Sequence, residues 1–274
     1  TSKALRVSPE VVRLTSAEST QQLVVTEGSG DNGLEGHGES SPQAVDRTRE
    51  VEFVVDDPTI VTIDELGLIA PLADGETAVR IRYQGKSLRV PVTVDGVSNP
   101  PRVSFLHQVI PILTKARCNS GGCHGKAEGK NGFKLSVFGF DPASDYDSLI
   151  RESHGRRVSF GLPERSLLLR KGTGEIPHGG GLKLSRGGLR YRRLVRWLVE
   201  GAPYESSAAD EITGLEVVPE AVVMTPNAAQ QMRVTAVDGA GRRFCVTSES
   251  EYESNAAVIA EVDERGLIRS SDIA

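Results

Sequence analysis

The residues with most to offer chemically lie in ARCNSGGCHGK, 116–126. Cys118 and Cys123 are two of the chain's 3 cysteines, and His124 follows the second directly. Two thiols beside an imidazole admit three chemistries: a covalent haem, a metal, or a disulfide. A c-type haem needs two thiols to add across two vinyl groups and an imidazole next to the second to reach the iron. The usual spacing is C-x-x-C-H, whereas this stretch reads C-x4-C-H. The extra residues must bulge without moving the sulfurs, and Asn119, Ser120, Gly121 and Gly122 are small or conformationally free enough to do so. Zinc asks for four ligands, commonly as two close pairs. No second short-spaced Cys/His pair occurs in 101–204, and Cys245 lies far off in a strand-like stretch, where it reads as a buried small hydrophobe. A Cys118–Cys123 disulfide would use the thiols and leave His124 and the glycines unexplained.

A haem iron has a second axial position. Met224 and Met232 are the only methionines and lie outside the segment around the motif, so Met/His ligation is not expected. His178, in EIPHGGGLKL, is the foremost candidate, because the glycines after it let a loop approach a flat ligand closely. His154, in RESHGRR, is the second candidate, and an open or water-bound iron the third. His107 reads as an exposed or capping residue. His37 falls in GSGDNGLEGHGESSPQ, 28–43, which reads as a flexible surface loop. Two imidazoles on iron give a low-spin centre of lowered potential, since methionine ligation raises it. Propionates would call for cations, and Arg117, Arg156, Arg157, Arg170, Lys171 and Lys183 are at hand.

The elements that must position these groups read as follows. SFLHQVIPILTKA, 104–116, puts Phe105, Leu106, Val109, Ile110 and Leu113 on one helical face, with Ser104 as N-cap and Pro111 as a kink unless it lies near a helix start. LPERSLLLRK, 162–171, predicts a short helix. SRGGLRYRRLVRWLVEG, 185–201, predicts the clearest one, stopped by Gly201 and Pro203. Residues 1–97 read as all-β, with strands in QQLVVTE, EVEFVV, TIVTI, TAVRIRY and SLRVPVTV and a hairpin turn at YQGK, 83–86. The β pattern returns from about 212 as an internal repeat: 5–27 matches 215–237, and 61–75 matches 259–273. The second copy is expected to be incomplete at its C-terminus, and the N-terminus carries no signal-peptide pattern.

Composition bounds the function. A net charge of −5 argues against nucleic acid as a partner, and no apolar run reaches the length of a membrane span. The 3 cysteines do not make a disulfide scaffold. No paired carboxylates, Ser/His/Asp set or phosphate loop stands out, so enzymatic turnover is left undecided.

The repeat resembles the group 2 bacterial immunoglobulin-like domains, through its xVSP…VxL start, (D/E)xxGL turn and closing TAVRIRY…VPVTV strands. That resemblance implies a small extracytoplasmic β-sandwich, adhesive or spacer in role. The segment between is similar to the cytochrome c-like domains of secreted, multidomain planctomycete proteins. The residues that carry this are FLHQVIPILTKARCNSGGCHG at 105–125, NGFKLSVFGFDPASDY at 131–146, SLLLRKGTGEIPHGGGLKL at 166–184 and YRRLVRWLVEGAP at 191–203. The fold class implied is multidomain: an all-β Ig-like sandwich over 1–97, a mainly α cytochrome c-like haem domain over 101–205, and a second, incomplete Ig-like β domain over 212–274. The function implied is an extracytoplasmic electron-transfer module with one haem c, held by Cys118 and Cys123 and ligated by His124 and His178, serving a redox partner protein. The alternatives are a structural or adhesive cell-surface module that meets carbohydrate or a surface partner through the Ig-like domains, and a haem enzyme or gas sensor with a displaceable sixth ligand.

Overall fold

The computed structural model describes residues 3–28, 44–204 and 211–273. The loop expected over 28–43, with His37, thus falls almost wholly outside the described residues. Two compact units emerge: residues 1–101 with 212–274, and residues 102–211.

In the first unit, alternating β-branched and polar residues draw the chain into strands, one face of each turned inward. The first repeat runs β1 (Ala4–Ser8), β2 (Val12–Leu14), β3 (Gln21–Gln22), β4 (Val24–Gly28), β5 (Val45–Asp46), β6 (Glu52–Val55), β7 (Val61–Ile63), β8 (Leu68–Pro71), β9 (Gly75–Tyr83) and β10 (Lys86–Val94). They form three sheets, ordered β1-β4-β5, β3-β8-β7 and β2-β10-β9-β6. The hairpin β9–β10 turns at YQGK as the sequence predicts. Gln84 and Gly85 both take positive φ, 46° and 80°, as a tight primed turn requires. This hairpin sits between β2, parallel to β10, and β6, antiparallel to β9. Its inward residues Val79, Ile81, Val90 and Val92 share one core with Leu5, Val7, Val12 and Leu14.

The second repeat supplies β11 (Ile212–Val218), β12 (Ala229–Gln231), β13 (Arg233–Asp238), β14 (Arg243–Cys245), β15 (Ala260–Val262) and β16 (Leu267–Ser270), in sheets β11-β13-β14 and β12-β16-β15. Side-chain hydrogen bonds repeat along with the sequence. Val25 N–H donates to Thr48 Oγ1 at 2.9 Å, and Val234 N–H to Thr247 Oγ1 at 2.9 Å. Asp64 Oδ1 accepts from Leu66 and Leu68 N–H, and Asp263 Oδ1 from Arg265 and Leu267 N–H. The repeats also meet reciprocally. Gln22 N–H donates to Cys245 Sγ at 3.4 Å, while its counterpart Gln231 N–H donates to Asp46 Oδ2 at 2.6 Å.

In the second unit, Ser104 Oγ caps a π-helical turn over Phe105–Val109 by accepting from His107 N–H at 3.2 Å. The chain then restarts as α1 (Ile110–Lys115) with Pro111 in its first turn, where a missing N–H costs nothing. The remaining helices are α2 (Pro142–Ile150), α3 (Leu167–Gly172) and α4 (Leu189–Val199). Phe105, Leu113, Leu149, Leu169, Leu194 and Trp197 pack into one buried core, with Phe105 and Trp197 stacked at 5.5 Å.

The expected fold class is corrected here. Of the described residues, 30% are in strands and 19% in helices. The four α-helices among the described residues have only 6, 9, 6 and 11 residues. The middle unit is therefore not a mainly α cytochrome c-like domain, and the β segments form several small sheets. The physical reason is local. Pro111 divides the entry helix, Gly187 (φ 73°) and Gly188 delay α4, and residues in the left-handed region interrupt the stretches between. Among the described residues no helix is long and apolar enough to cross a membrane.

Candidate cofactor site

The end of α1 begins the site. Arg117 takes φ 55°, its N–H donates to Thr114 O at 2.7 Å, and Cys118 N–H donates to Leu113 O at 2.8 Å. This pair of bonds is a Schellman stop with arginine where glycine usually stands. The chain then closes on itself: His124 N–H donates to Cys118 O at 3.0 Å, and Gly125 N–H to Ser120 O at 3.0 Å. The buried Asn119 ties the loop back to α1 through Thr114 Oγ1 at 2.9 Å. Of the glycines, Gly125 bears the constraint. A Cβ there would fall onto the carbonyls of Asn119 and Ser120, whereas one at Gly121 or Gly122 would meet nothing within 4 Å. Both thiols are free. Burial pushes Cys118 up to about 11, against the opposing pull of Lys183.

A turn predicted by nothing above holds the imidazole. Asn131 (φ 54°) and Gly132 (φ 70°) turn the chain between the bridged residues Lys130 and Phe133. Phe133 O then meets His124 Nδ1 at 3.1 Å, Leu135 N–H donates to His124 O at 2.9 Å, and the Phe133 ring leans on the imidazole at 4.5 Å. Beneath this segment lies Arg157, 4% exposed. It donates to Ser148 O, Glu152 O and Gly132 O, and its guanidinium lies 4.6 Å over the Phe133 ring. The NG dipeptide was the available signal for this support. The bond from Arg157 to a carbonyl 25 residues earlier left none.

Across a cavity of about 640 Å³ stands His178. Its Nδ1 meets Gly181 O at 3.0 Å, and Lys171 Nζ donates to Pro177 O at 2.6 Å, fixing the loop from α3. A Cβ at Gly180 would come within 2.9 Å of the imidazole carbon Cε1, so a side chain there would push the ring aside. The rings of His124 and His178 are 6.4 Å apart between centres and 9° from parallel. With each Nδ1 engaged by a carbonyl, Nε2 is the nitrogen left for a ligand. Burial pushes His124 below the ordinary imidazole range, against the opposing hydrogen bond of Phe133 O, with His178, Lys130 and Arg157 adding to the effect.

Apolar side chains, among them Ile112, Leu113, Ala116, Leu149, Leu168, Leu184 and Leu194, line the cavity together with Cys118, Cys123, His124 and His178. Of the proposed cations, Arg156, Arg157 and Lys171 line it, with Lys130 added. Arg170 is engaged by Glu175 at 2.9 Å. His154 is exposed, at φ 59°, and does not line the cavity. His107 is half-buried in the entry turn. Cys245 is buried in the β unit, where Met224 and Met232 also lie.

Haem passes a test of fit here. An imidazole nitrogen stands about 2 Å from a metal with its ring centre about 1 Å behind, so two rings sharing one metal from opposite sides lie about 6 Å apart. The observed 6.4 Å is close to that separation. The volume lies within the range of about 300–1,000 Å³ common for cofactor pockets. A cage for a small ion is a poorer fit: among the described residues no group of three or more His, Cys, Asp or Glu converges.

No protein-family model matches the chain, and no curated protein matches it. Among solved structures, domains 5-6 of the S-layer protein SbsC are similar with a TM-score of 0.30 and 12% identity, over 98% of this chain and 85% of that one. At that TM-score the likeness carries no argument about fold or function.

Proposed function

We propose that residues 102–211 form a haem-binding electron-transfer module, with one haem attached through Cys118 and Cys123 and held by His124 and His178. The carrying observation is the near-parallel imidazole pair, 6.4 Å apart between centres and 9° from parallel, lining together with both thiols one apolar cavity. When bound, such a group supplies reversible one-electron transfer, and filled axial positions disfavour substrate binding. The chain's own part is to prepare the site. Phe133 O and Gly181 O hold each Nδ1, so that both Nε2 lone pairs are available without rearrangement. Leu113, Leu149, Leu184 and Leu194 keep water from the cavity walls, and Arg156 and Lys171 offer cations to acidic substituents. An extracytoplasmic setting and a redox partner protein belong to the same proposal. They rest on the resemblance of 105–203 to domains of secreted proteins.

Production in cells with a haem-attachment system tests this. The expected result is a mass gain of one haem that survives denaturation, with a low-spin spectrum unmoved by carbon monoxide. His178→Ala should give a high-spin spectrum and His154→Ala an unchanged one. Colourless protein, or a low-spin spectrum that survives His178→Ala, overturns the assignment.

A further inference from the structure

A strained turn delivers a positive charge to the cavity wall. Ser153, His154 and Gly155 follow one another in the left-handed region, at φ 53°, 59° and 68°. Glycine takes that conformation freely, whereas serine and histidine take it at a cost, so two side chains are held there against their preference. Arg157 does the holding. It donates to Glu152 O and Ser153 Oγ within the turn, and to Ser148 O and Gly132 O beyond it. Every one of these acceptors is a neutral oxygen. The ion pair with Glu152 is long, at 4.0 Å, and the glutamate side chain is 53% exposed, so water screens it. Of the cations that line the cavity, Lys130 and Arg156 are exposed and Lys171 is half-buried, whereas Arg157 is buried. None of the described residues lining the cavity is an aspartate or a glutamate. The guanidinium lies 4.6 Å from the centre of the Phe133 ring, which lies 4.5 Å from that of His124. A positive charge that no carboxylate in the cavity wall cancels, and that little water screens, thus stands one ring away from the ligating imidazole.

We propose that Arg157 raises the reduction potential of the centre, an inference that rests on the haem assignment above. Its buried charge stabilises the state that holds one electron more, and so opposes the lowering that two imidazole ligands bring. At an effective dielectric of about 20, a unit charge at about 10 Å changes a one-electron equilibrium roughly 10-fold. The guanidinium keeps its proton at any working pH, so the effect does not titrate. The strained turn then has a use beyond anchoring: it keeps the charge inside the wall, where salt does not screen it.

The test is a spectroelectrochemical titration of the haem-loaded chain beside four variants. Arg157→Gln should lower the reduced-to-oxidised ratio at a fixed applied potential about 10-fold, a shift of about 59 mV for one electron. Arg157→Lys keeps the charge and should stay within about 3-fold of the unaltered chain, although it loses the fork to three segments as the glutamine does. Ser153→Asp leaves Arg157 in place and sets a carboxylate where Ser153 Oγ now accepts from Nη2 at 3.3 Å. It should lower the ratio at least about 3-fold, and Ser153→Asn should not. Aspartate and asparagine both tolerate the left-handed backbone, so this pair keeps the turn and decides the matter if the Arg157 variants fail to load. Equal shifts in the two Arg157 variants, or equal ratios in the two Ser153 variants, with the low-spin spectrum retained, overturn the proposal and leave the haem assignment standing. Colourless protein from the unaltered chain overturns both.

Discussion

Arg157→Met should unfold the support under His124 while leaving the cavity lining chemically intact. The side chain is 4% exposed and donates to Ser148 O at 2.5 Å, to Glu152 O at 3.1 Å, to Gly132 O and to Ser153 Oγ at 3.3 Å. Its guanidinium also lies 4.6 Å over the Phe133 ring. A thioether cannot donate, so two or three carbonyls lose their partner in a dry setting, at about 1–3 kcal/mol each. The lost cation–π contact adds about 1 kcal/mol. Relief of burying a charge offsets part of this, since burial already pushes this guanidinium below its ordinary range. The net expectation is a loss of about 3–5 kcal/mol, typical of breaking a buried charged network from one side. Urea unfolding measures it, and imidazole nitrogen shifts of His124 report whether Nδ1 still meets Phe133 O. Arg157→Lys should recover less than half, because an ammonium cannot fork to carbonyls on three segments. A loss under about 1 kcal/mol, or unmoved His124 shifts, would refute the claim that Arg157 anchors the segment holding that ring.

Three further outcomes are expected. Arg117→Gly should stabilise the second unit by about 1 kcal/mol in thermal or urea melts, since φ 55° at a Schellman position suits glycine. Gly125→Ala should destabilise by about 1–3 kcal/mol and disrupt the Cys118–His124 closure, read as lost amide protection at His124 and at residue 125, because the added carbon meets the Asn119 and Ser120 carbonyls. Glu27 is held below its ordinary value of 4.5, chiefly by the hydrogen bond from Lys86 at 2.6 Å, with Arg47 in support. A lowered folded value gives stability that is present above 4.5 and lost as pH falls through the folded value. Glu27→Gln should therefore cost stability at neutral pH and little at about pH 3, in paired urea melts.

Much of the site could be read from residue types, and less of its scaffold. Cys118, Cys123, His124 and His178 do line one cavity, and Ser104, Pro111 and Gly201 act at helix ends as their chemistry requires. The reading failed where short helices meet long irregular segments. The resemblance implied a mainly α middle domain, yet α4 begins only at Leu189, after two glycines, and the entry helix breaks at Val109. Helix α2 was missed although Asp141 caps it and Pro142 opens it, a pair that signals a helix start. The spacer glycines are expected to form the bulge, but the left-handed backbone falls on Arg117 and the close carbonyl approach on Gly125. The carbonyls of Phe133 and Gly181 were out of reach of the sequence, because a main-chain acceptor has no letter of its own. The same holds for contacts that join distant segments, which only tertiary packing brings together.

The reciprocal bonds between the β repeats carry a consequence for dilution. Partners that meet through matching surfaces usually separate as their concentration falls, since association is second order. Here Gln22 with Cys245 and Gln231 with Asp46 belong to one polypeptide, so each copy encounters the other at a local concentration set by the tether. Their pairing is first order, indifferent to how much protein is in solution. Both donors are main-chain N–H groups, so a substitution unpairs the copies only at the acceptors, Cys245 and Asp46.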